Sequence, residues 1–302
     1  MKLWITYLRA IAAMFFWAIT FVWYKIAYKT YRPYEVVFFR LLLATVILFS
    51  IILLSKHRQK IEVKDLRRLM LVAFFEPFLY FNGEGNAMQY VSSSLGSIVI
   101  ATIPIFAALG AWLFLKERLS IYVILGVIVS CLGVAIMSIG SGELRATLIG
   151  IMFLALAILG SVGYGLMVRP LTLKYSTLTI VAYQSLFGTL YFLPMFIFID
   201  GKHFLQVTHT LSGIYTVIAM SLCATIGAFV LFTDVIRKLG VAKSNIFTNL
   251  IPVFTVILAF MILGDPISTR TIIGLVLTLL GLVLSQYMDL KKLKQRYVQR
   301  GR

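Results

Sequence analysis

The stretch FFEPFLYFNGEGNAMQY, residues 74–90, places Glu76, Pro77, Tyr80, Asn82, Glu84 and Asn86 inside an otherwise apolar run. At 100° per residue, Glu76, Tyr80, Gly83 and Glu84 share one broad helical face, and Pro77 withdraws a backbone hydrogen bond beside them. An ionisable group within a membrane span costs roughly 2.5 to 3.5 kcal/mol on insertion scales, so each needs a partner, water or a ligand. Carboxyls in that setting can hold a cation or carry a proton. A polar, broken face of this kind predicts the wall of a cavity.

Arg40, in the preceding apolar run, lies at about the depth of Glu84. The two are expected to form a buried ion pair that keeps their helices in register, with a direct ligand role as the alternative. Glu76 has no base at its depth. It reads either as a coupling or substrate-cation carboxylate, a proton being the coupling ion such a group allows, or as a neutral acid bonded to the backbone opened by Pro77. A second polar stripe, Asn245, Thr248, Asn249 and Pro252, recurs at helical spacing late in the chain. Of its members Asn249, in mid-span, is the better ligand candidate, with Asn245 beside it. Trp17, Tyr164 and Tyr183 offer stacking faces and Gln184 an amide, although aromatic residues at such spacing also serve as core or lipid-facing packing.

The elements that must position these groups follow from composition. With 302 residues, 61% hydrophobic and 13% charged, and a mean hydropathy of +0.96, the chain cannot bury its apolar side chains in a water-soluble globule. It reads as an all-α polytopic membrane protein. Apolar runs near the ~20 residues needed to span hydrocarbon fall at about 6–24, 34–54, 69–89, 93–115, 120–140, 146–167, 178–199, 211–233, 242–263 and 269–288, which predicts ten transmembrane helices. The first run has no small-residue cleavage site behind it and reads as a retained span.

The net charge of +17 sits in short clusters between these runs, which argues for topology and against a nucleic-acid partner. With both termini inside, 21 Lys and Arg collect on the cytoplasmic side and six on the other, so the expected setting is the inner cell membrane with both termini cytoplasmic. Asp234 with Arg237 and Lys238 has the spacing of a local ion pair, and Glu35 lies near Arg32. The basic tail from residue 289 can touch anionic headgroups. Cys131 and Cys223 have neither paired spacing nor a nearby His, so packing is expected of them and neither a disulfide nor a metal site.

The chain contains one stretch twice. An offset of 148 carries Ile103, Pro104, Phe106, Gly126 and Gly133 onto Ile251, Pro252, Phe254, Gly274 and Gly281 without a gap, and sets Glu117 on Asp265. An offset of 144 sets Trp17 on Ser161, Phe39 on Tyr183 and Arg40 on Gln184. Two five-helix repeats follow, residues 1–143 and 144–288, ahead of a basic cytoplasmic tail at 289–302. An odd number of spans per repeat turns the second upside down. The turns agree, because basic Lys116-Glu117-Arg118 is matched by Gly264-Asp265-Pro266, which has lost both bases. Inverted repeats around a central cavity are the geometry of alternating access.

Ten spans, a Trp in the first helix, the Arg of VVFFRLLLA, and the pair QYVSSSLGSIVIATIPIFAALGAWLFLKERLS and RKLGVAKSNIFTNLIPVFTVILAFMILGDPIS resemble the EamA family of the drug/metabolite transporter superfamily over nearly the whole chain. The second copy departs in carrying Asp265 where the family usually shows Glu. The resemblance implies a basket-like bundle whose cavity is lined by the earlier helices of each half. It also implies export of small metabolites, such as amino acids or related compounds, or of drugs, without ATP. The residues agree that energy comes from gradients or exchange, since no phosphate-cradling GxxxxGK[ST] loop is present. With no HExxH or GxSxG, and with His57, His203 and His209 in connections, no enzyme activity and no cofactor are expected. A channel-like pore is the alternative, ahead of a membrane-embedded enzyme, but an asymmetric polar pocket favours a carrier.

Overall fold

The computed structural model describes residues 3–55, 59–115, 121–138, 144–240, 244 and 246–285; the Lys116-Glu117-Arg118 turn, His57 and the basic tail lie outside them. Among the described residues the chain is helical, with no strand. In order come α1 (Leu3–Ala27), α2 (Pro33–Leu54), α3 (Val63–Ala73) and α4 (Tyr80–Ala87), the last two joined through a widened turn at Phe74–Leu79. Then follow α5 (Ser93–Ile100), α6 (Ile103–Leu115), α7 (Ile121–Ser138), α8 (Leu144–Lys174) and α9 (Thr177–Met195). The series ends with α10 (Gly201–Gln206), α11 (Leu211–Ala219), α12 (Phe229–Leu239), α13 (Leu250–Leu258) and α14 (Thr269–Ser285).

Local chemistry marks the boundaries. Pro33 sits in the first turn of α2, and Glu35 reaches back to accept the Arg32 N–H at 2.8 Å. Hydroxyls cap α5, α9 and α11, where Ser92, Ser176 and Thr210 accept from Leu95, Thr179 and Gly213. Gly240 ends α12 with φ 81°, a conformation other residues resist.

Among the described residues, six helical segments are long and apolar enough to cross a membrane: Trp4–Ala27, Pro33–Leu54, Ser93–Gly110, Thr147–Lys174, Thr177–Gln206 and Leu211–Leu239. Ile121–Met137, Phe247–Leu263 and Thr269–Ser285 are shorter apolar helices. The third apolar run of the sequence stands apart because its polar residues fall at a kink. Glu76 takes an extended conformation (φ −146°, ψ 112°) and a cis peptide bond joins it to Pro77.

Close contacts set how the helices pack. A Cβ built on Gly126 would lie 2.5 Å from the Gly281 carbonyl oxygen, and one on Gly133 would lie 2.7 Å from that of Gly274. Reciprocally, Cβ atoms on Gly281 and Gly274 would lie 2.6 Å and 2.8 Å from the Gly126 and Gly133 oxygens. Rising numbers on α7 thus meet falling numbers on α14, and the two helices run antiparallel with backbones in contact. Ser130 Oγ donates to the Thr278 carbonyl at 3.3 Å, a partner 148 positions away. Between α2 and α9, the Thr45 and Thr189 hydroxyls meet at 3.2 Å, 144 positions apart. Elsewhere α8 turns Gly160 and Gly163 onto the kink, so close that a Cβ on Gly160 would lie 2.7 Å from the Phe75 oxygen.

Polar contacts tie both ends of the bundle. At one end, Asp65 accepts from Lys174 Nζ at 2.5 Å and from Tyr175 Oη at 2.8 Å, joining α3 to the end of α8 and the residue that follows it. These bonds, the lysine first, hold the Asp65 carboxyl below the usual value of 3.8. Asp234 pairs with Lys238 as its spacing predicts, and also with Arg9 of α1. Arg237 does not join that pair. Its guanidinium donates to the Thr172 carbonyl at 2.8 Å and to that of Tyr175, because unsatisfied helix-end carbonyls outbid a neighbour that already has two cations. At the other end, His203 Nδ1 donates to Glu35 at 2.7 Å, and Asp200 accepts the Tyr34 N–H at 3.1 Å. Cys131 and Cys223 are free thiols, and Cys131 is exposed, so the packing role expected of it is not seen.

Two outcomes follow. Gly281→Val should lower the melting temperature of the detergent-purified protein by on the order of 5 °C, since a Cβ there would already press on Ser130 Oγ and lie 2.6 Å from the Gly126 carbonyl oxygen; a light-scattering or size-exclusion melt reads this. Asp65→Asn should also destabilise at neutral pH. Because the folded carboxyl titrates below its unfolded value, its contribution is complete above that value and is lost as pH falls. The gap between wild type and variant should therefore hold down to about pH 5 and close below about pH 4.

Candidate functional site

A cavity of about 560 Å³ opens among α1, the kinked α3–α4 segment, α6, α8, α12 and α13. Trp17 forms part of its wall, edge-on to Phe229 at 5.4 Å and to Phe232 at 4.9 Å. Ile103, Pro104 and Ile251 add apolar surface, and Tyr164 and Ser161 face in from α8. Arg169, exposed, lies at the mouth, near the end of the bundle tied by Asp65 and Arg237.

The opposite, closed end is a layer of hydrogen bonds around Arg40, which is 1% exposed. Its Nε donates to Thr225 Oγ1 at 2.9 Å, its Nη1 donates to Tyr24 Oη at 3.0 Å, and its guanidinium lies 4.2 Å from the centre of the Phe81 ring. Tyr24 in turn donates to Glu84 Oε2 at 3.0 Å, while Tyr80 donates to Oε1 at 2.8 Å. The direct Arg40–Glu84 pair expected from depth is corrected here: the phenol of Tyr24 stands between them. It accepts from the base and donates to the acid, so both charges are met although they do not touch.

Glu76 sits farther along the cavity. Its helix break turns the carboxyl toward Ser161, and no base among the described residues pairs with it. The break also frees the Glu76 carbonyl, which Gln184 Nε2 from α9 satisfies at 3.0 Å. A carboxyl facing a cavity without a counter-cation can hold a ligand's positive charge or a proton.

The residues expected at a binding site are thus divided. Trp17, Glu76, Tyr80 and Tyr164 line the cavity, as do Arg40 and Glu84. Gln184 stands behind it as a support for the kink. Asn82 is not on the cavity wall; its amide donates to the Phe78 carbonyl of its own helix at 3.3 Å. Tyr183, one position from Gln184 and so about 100° around α9, packs on Phe49 and Phe187. Asn249 flanks the lining residues Thr248 and Ile251 with its Oδ1 buried and unpartnered, and Asn245 lies outside the described residues. Tyr24, Thr225, Arg169, Phe229 and Phe232 were not singled out by the sequence. Arg40 was the signal for the first two, since a buried guanidinium has more donors than one carboxylate can accept.

Tyr24→Phe should expose how the closed end is held. Loss of the hydroxyl leaves Arg40 Nη1 and Glu84 Oε2 short of a buried partner, a loss of about 1–3 kcal/mol that should lower the melting temperature by several degrees. A phenylalanine variant that melts with wild type would show that the phenol does not bridge the two charges.

The comparisons with known proteins agree with this architecture. One solved crystal structure matches with a TM-score of 0.67 at 15% identity, over 94% of this chain and 98% of its own, and so shares the fold. An "uncharacterized transporter" of Archaeoglobus fulgidus is 24% identical over 93% of this chain and 98% of its own length. A "probable terminal-alkyne amino-acid exporter" of Streptantibioticus cattleyicolor is 29% identical over 65% of this chain and 64% of its own. Together with the six apolar segments, these relatives make the chain a multi-pass membrane protein with a transporter's role. The EamA-like transporter family matches residues 4–139 and again 148–287, and with those two matches spanning most of its length, the chain belongs to that family.

Proposed function

We propose that the protein is a secondary-active carrier that exports small metabolites, amino acids or related compounds foremost, or drugs, by alternating access. The observation that carries this reading is a cavity whose lining runs from Arg40 and Glu84, buried in a hydrogen-bonded layer with Tyr24, to exposed Arg169. The substrate pocket lies between, with Glu76 as the coupling or substrate-cation carboxylate, a proton as the coupling ion, and Trp17, Tyr80 and Tyr164 as its walls. Asn249, next to the lining residue Thr248 and with a buried unpartnered Oδ1, is a further polar candidate. The amino-acid exporter of Streptantibioticus cattleyicolor favours amino acids as the first class to test.

The inverted layout of ten spans in two repeats, 1–143 and 144–288, has support of its own. Residues related by a two-fold axis touch each other only on that axis. Thr45 with Thr189, and Ser130 with Thr278, are such pairs at the two offsets found in the sequence, 144 and 148. Equivalent helices that also run antiparallel, as α7 and α14 do, call for an axis in the plane of the membrane. With the 21 to six bias of basic residues, both termini are cytoplasmic in the inner membrane and the Arg169 mouth faces the cytoplasm.

The experiment is counterflow in proteoliposomes. A thermal-shift screen against amino acids, sugars and cationic drugs picks a ligand, whose labelled form is then followed. A carrier accelerates uptake when unlabelled ligand waits on the far side, whereas a channel-like pore does not. Glu76→Gln should slow transport at least about tenfold and flatten its pH dependence. Unchanged rate and pH profile in that variant would sink the coupling role.

A further inference from the structure

A second concavity, about 460 Å³, is a groove on the flank of the bundle between α2 and α11, at the end where both helices begin. Phe39, Leu42 and Val46 form one wall and Ile214, Val217 and Ile218 the other. Val46 is 56% exposed and Ile214 38%, so the groove faces outward from the bundle. Polar groups occur only at its head, and they are engaged. Glu35 accepts from His203 and from the Arg32 N–H, and Tyr31 Oη meets His209 Nδ1 at 3.2 Å. The groove therefore offers hydrocarbon surface along its length and no free acceptor.

Both walls belong to segments that cross the membrane, so what fills this space comes from the bilayer. Water there would lack polar partners, and an empty groove would forfeit dispersion contacts on every lining atom. The gap between α3 and α9 shows the contrast. There Tyr191 fills the space, with its ring 6.2 Å from that of Phe74 and 5.5 Å from that of Phe78, and its hydroxyl donates to the Met70 carbonyl. Between α2 and α11 the aliphatic residues leave the space open. Around the head, Lys29, Arg32 and Lys202 are exposed cations, Arg32 half-exposed although its Nη1 lies 3.8 Å from Asp200 Oδ1, while the nearby acids Glu35 and Asp200 are buried and bonded. The exposed charge is positive. We propose that the groove seats one acyl chain of an anionic phospholipid, with its phosphate against Lys202 and Arg32. The inference needs only the membrane placement of these helices; the leaflet that supplies the lipid, the outer one, rests on the orientation proposed above, and the transport mechanism does not enter.

Native mass spectrometry of the full-length, delipidated protein with added phosphatidylglycerol tests this, together with a melt of the same samples. One lipid should be retained per chain and raise the melting temperature, while glycerol 3-phosphate, the headgroup without chains, should do neither. Val46→Trp fills the groove and should weaken retention at least about tenfold, the equivalent of a few lost methylene contacts. Lys202→Glu should weaken it comparably, and because it alters only an exposed side chain it decides the question if Val46→Trp does not fold. Equal retention by wild type and both variants would overturn the proposal. So would a dimer mass that Val46→Trp abolishes, since the groove would then belong to a second copy of the chain.

Discussion

A guanidinium cannot shed its charge and cannot be left bare in hydrocarbon, and Arg40 meets both conditions at the centre of this bundle. Its five donors call for more than one acceptor. Thr225 from the second half of the chain, Tyr24 from α1 and the face of Phe81 answer them, so three separate segments are fixed by one side chain. Ser221 adds a bond to the Arg40 carbonyl at 2.8 Å. The layer that closes the cavity is therefore also the layer that aligns α1, α2, α4 and the α11–α12 segment. In the proposed alternating access, opening this end would require these contacts to be exchanged together, as a discrete step.

Glu76 depends on a different device. Breaking a helix in a membrane strands carbonyls and amides, and the break at Pro77 is tolerated because α8 and α9 arrive close enough to answer it. Gly160 admits the kinked backbone, Gly163 the Phe75 ring and Gly188 the Pro77 ring, and Gln184 bonds the freed carbonyl. The carboxyl is thus held by its backbone, with its own oxygens left toward the cavity. Supports that grip the main chain and spare the side chain suit the binding role proposed for Glu76.

Much of this was legible in the sequence because insertion energetics are severe. Apolar runs, basic turns and the cost of Arg40, Glu76 and Glu84 all mark themselves. Tyr24 did not, since a tyrosine in an apolar helix looks the same whether it anchors to lipid, fills a core or bridges two charges. The helical wheel placed Tyr80 and Glu84 correctly relative to each other, but the extended residue at 76 resets the angular phase before them. Asn82, chosen for its polarity, lies two positions and so about 200° around the helix from both Tyr80 and Glu84, and its amide bonds to its own helix. Tyr183 and Gln184 show the same limit at finer scale, because adjacent residues point in different directions and composition does not say which one turns inward. Arg237 was misread for a third reason: spacing along one helix reveals the neighbour within reach, and not the helix end brought alongside by folding.

Gly165 lies on the cavity wall, and a Cβ added there would meet nothing within 4 Å. The other glycines on α8, Gly150, Gly160 and Gly163, are each crowded by a neighbouring segment, whereas this one borders empty volume. Any larger residue at that position would narrow the chamber while leaving the scaffold undisturbed. Diversification of what passes through can therefore proceed by single substitutions at one point, uncoupled from the demands of assembly.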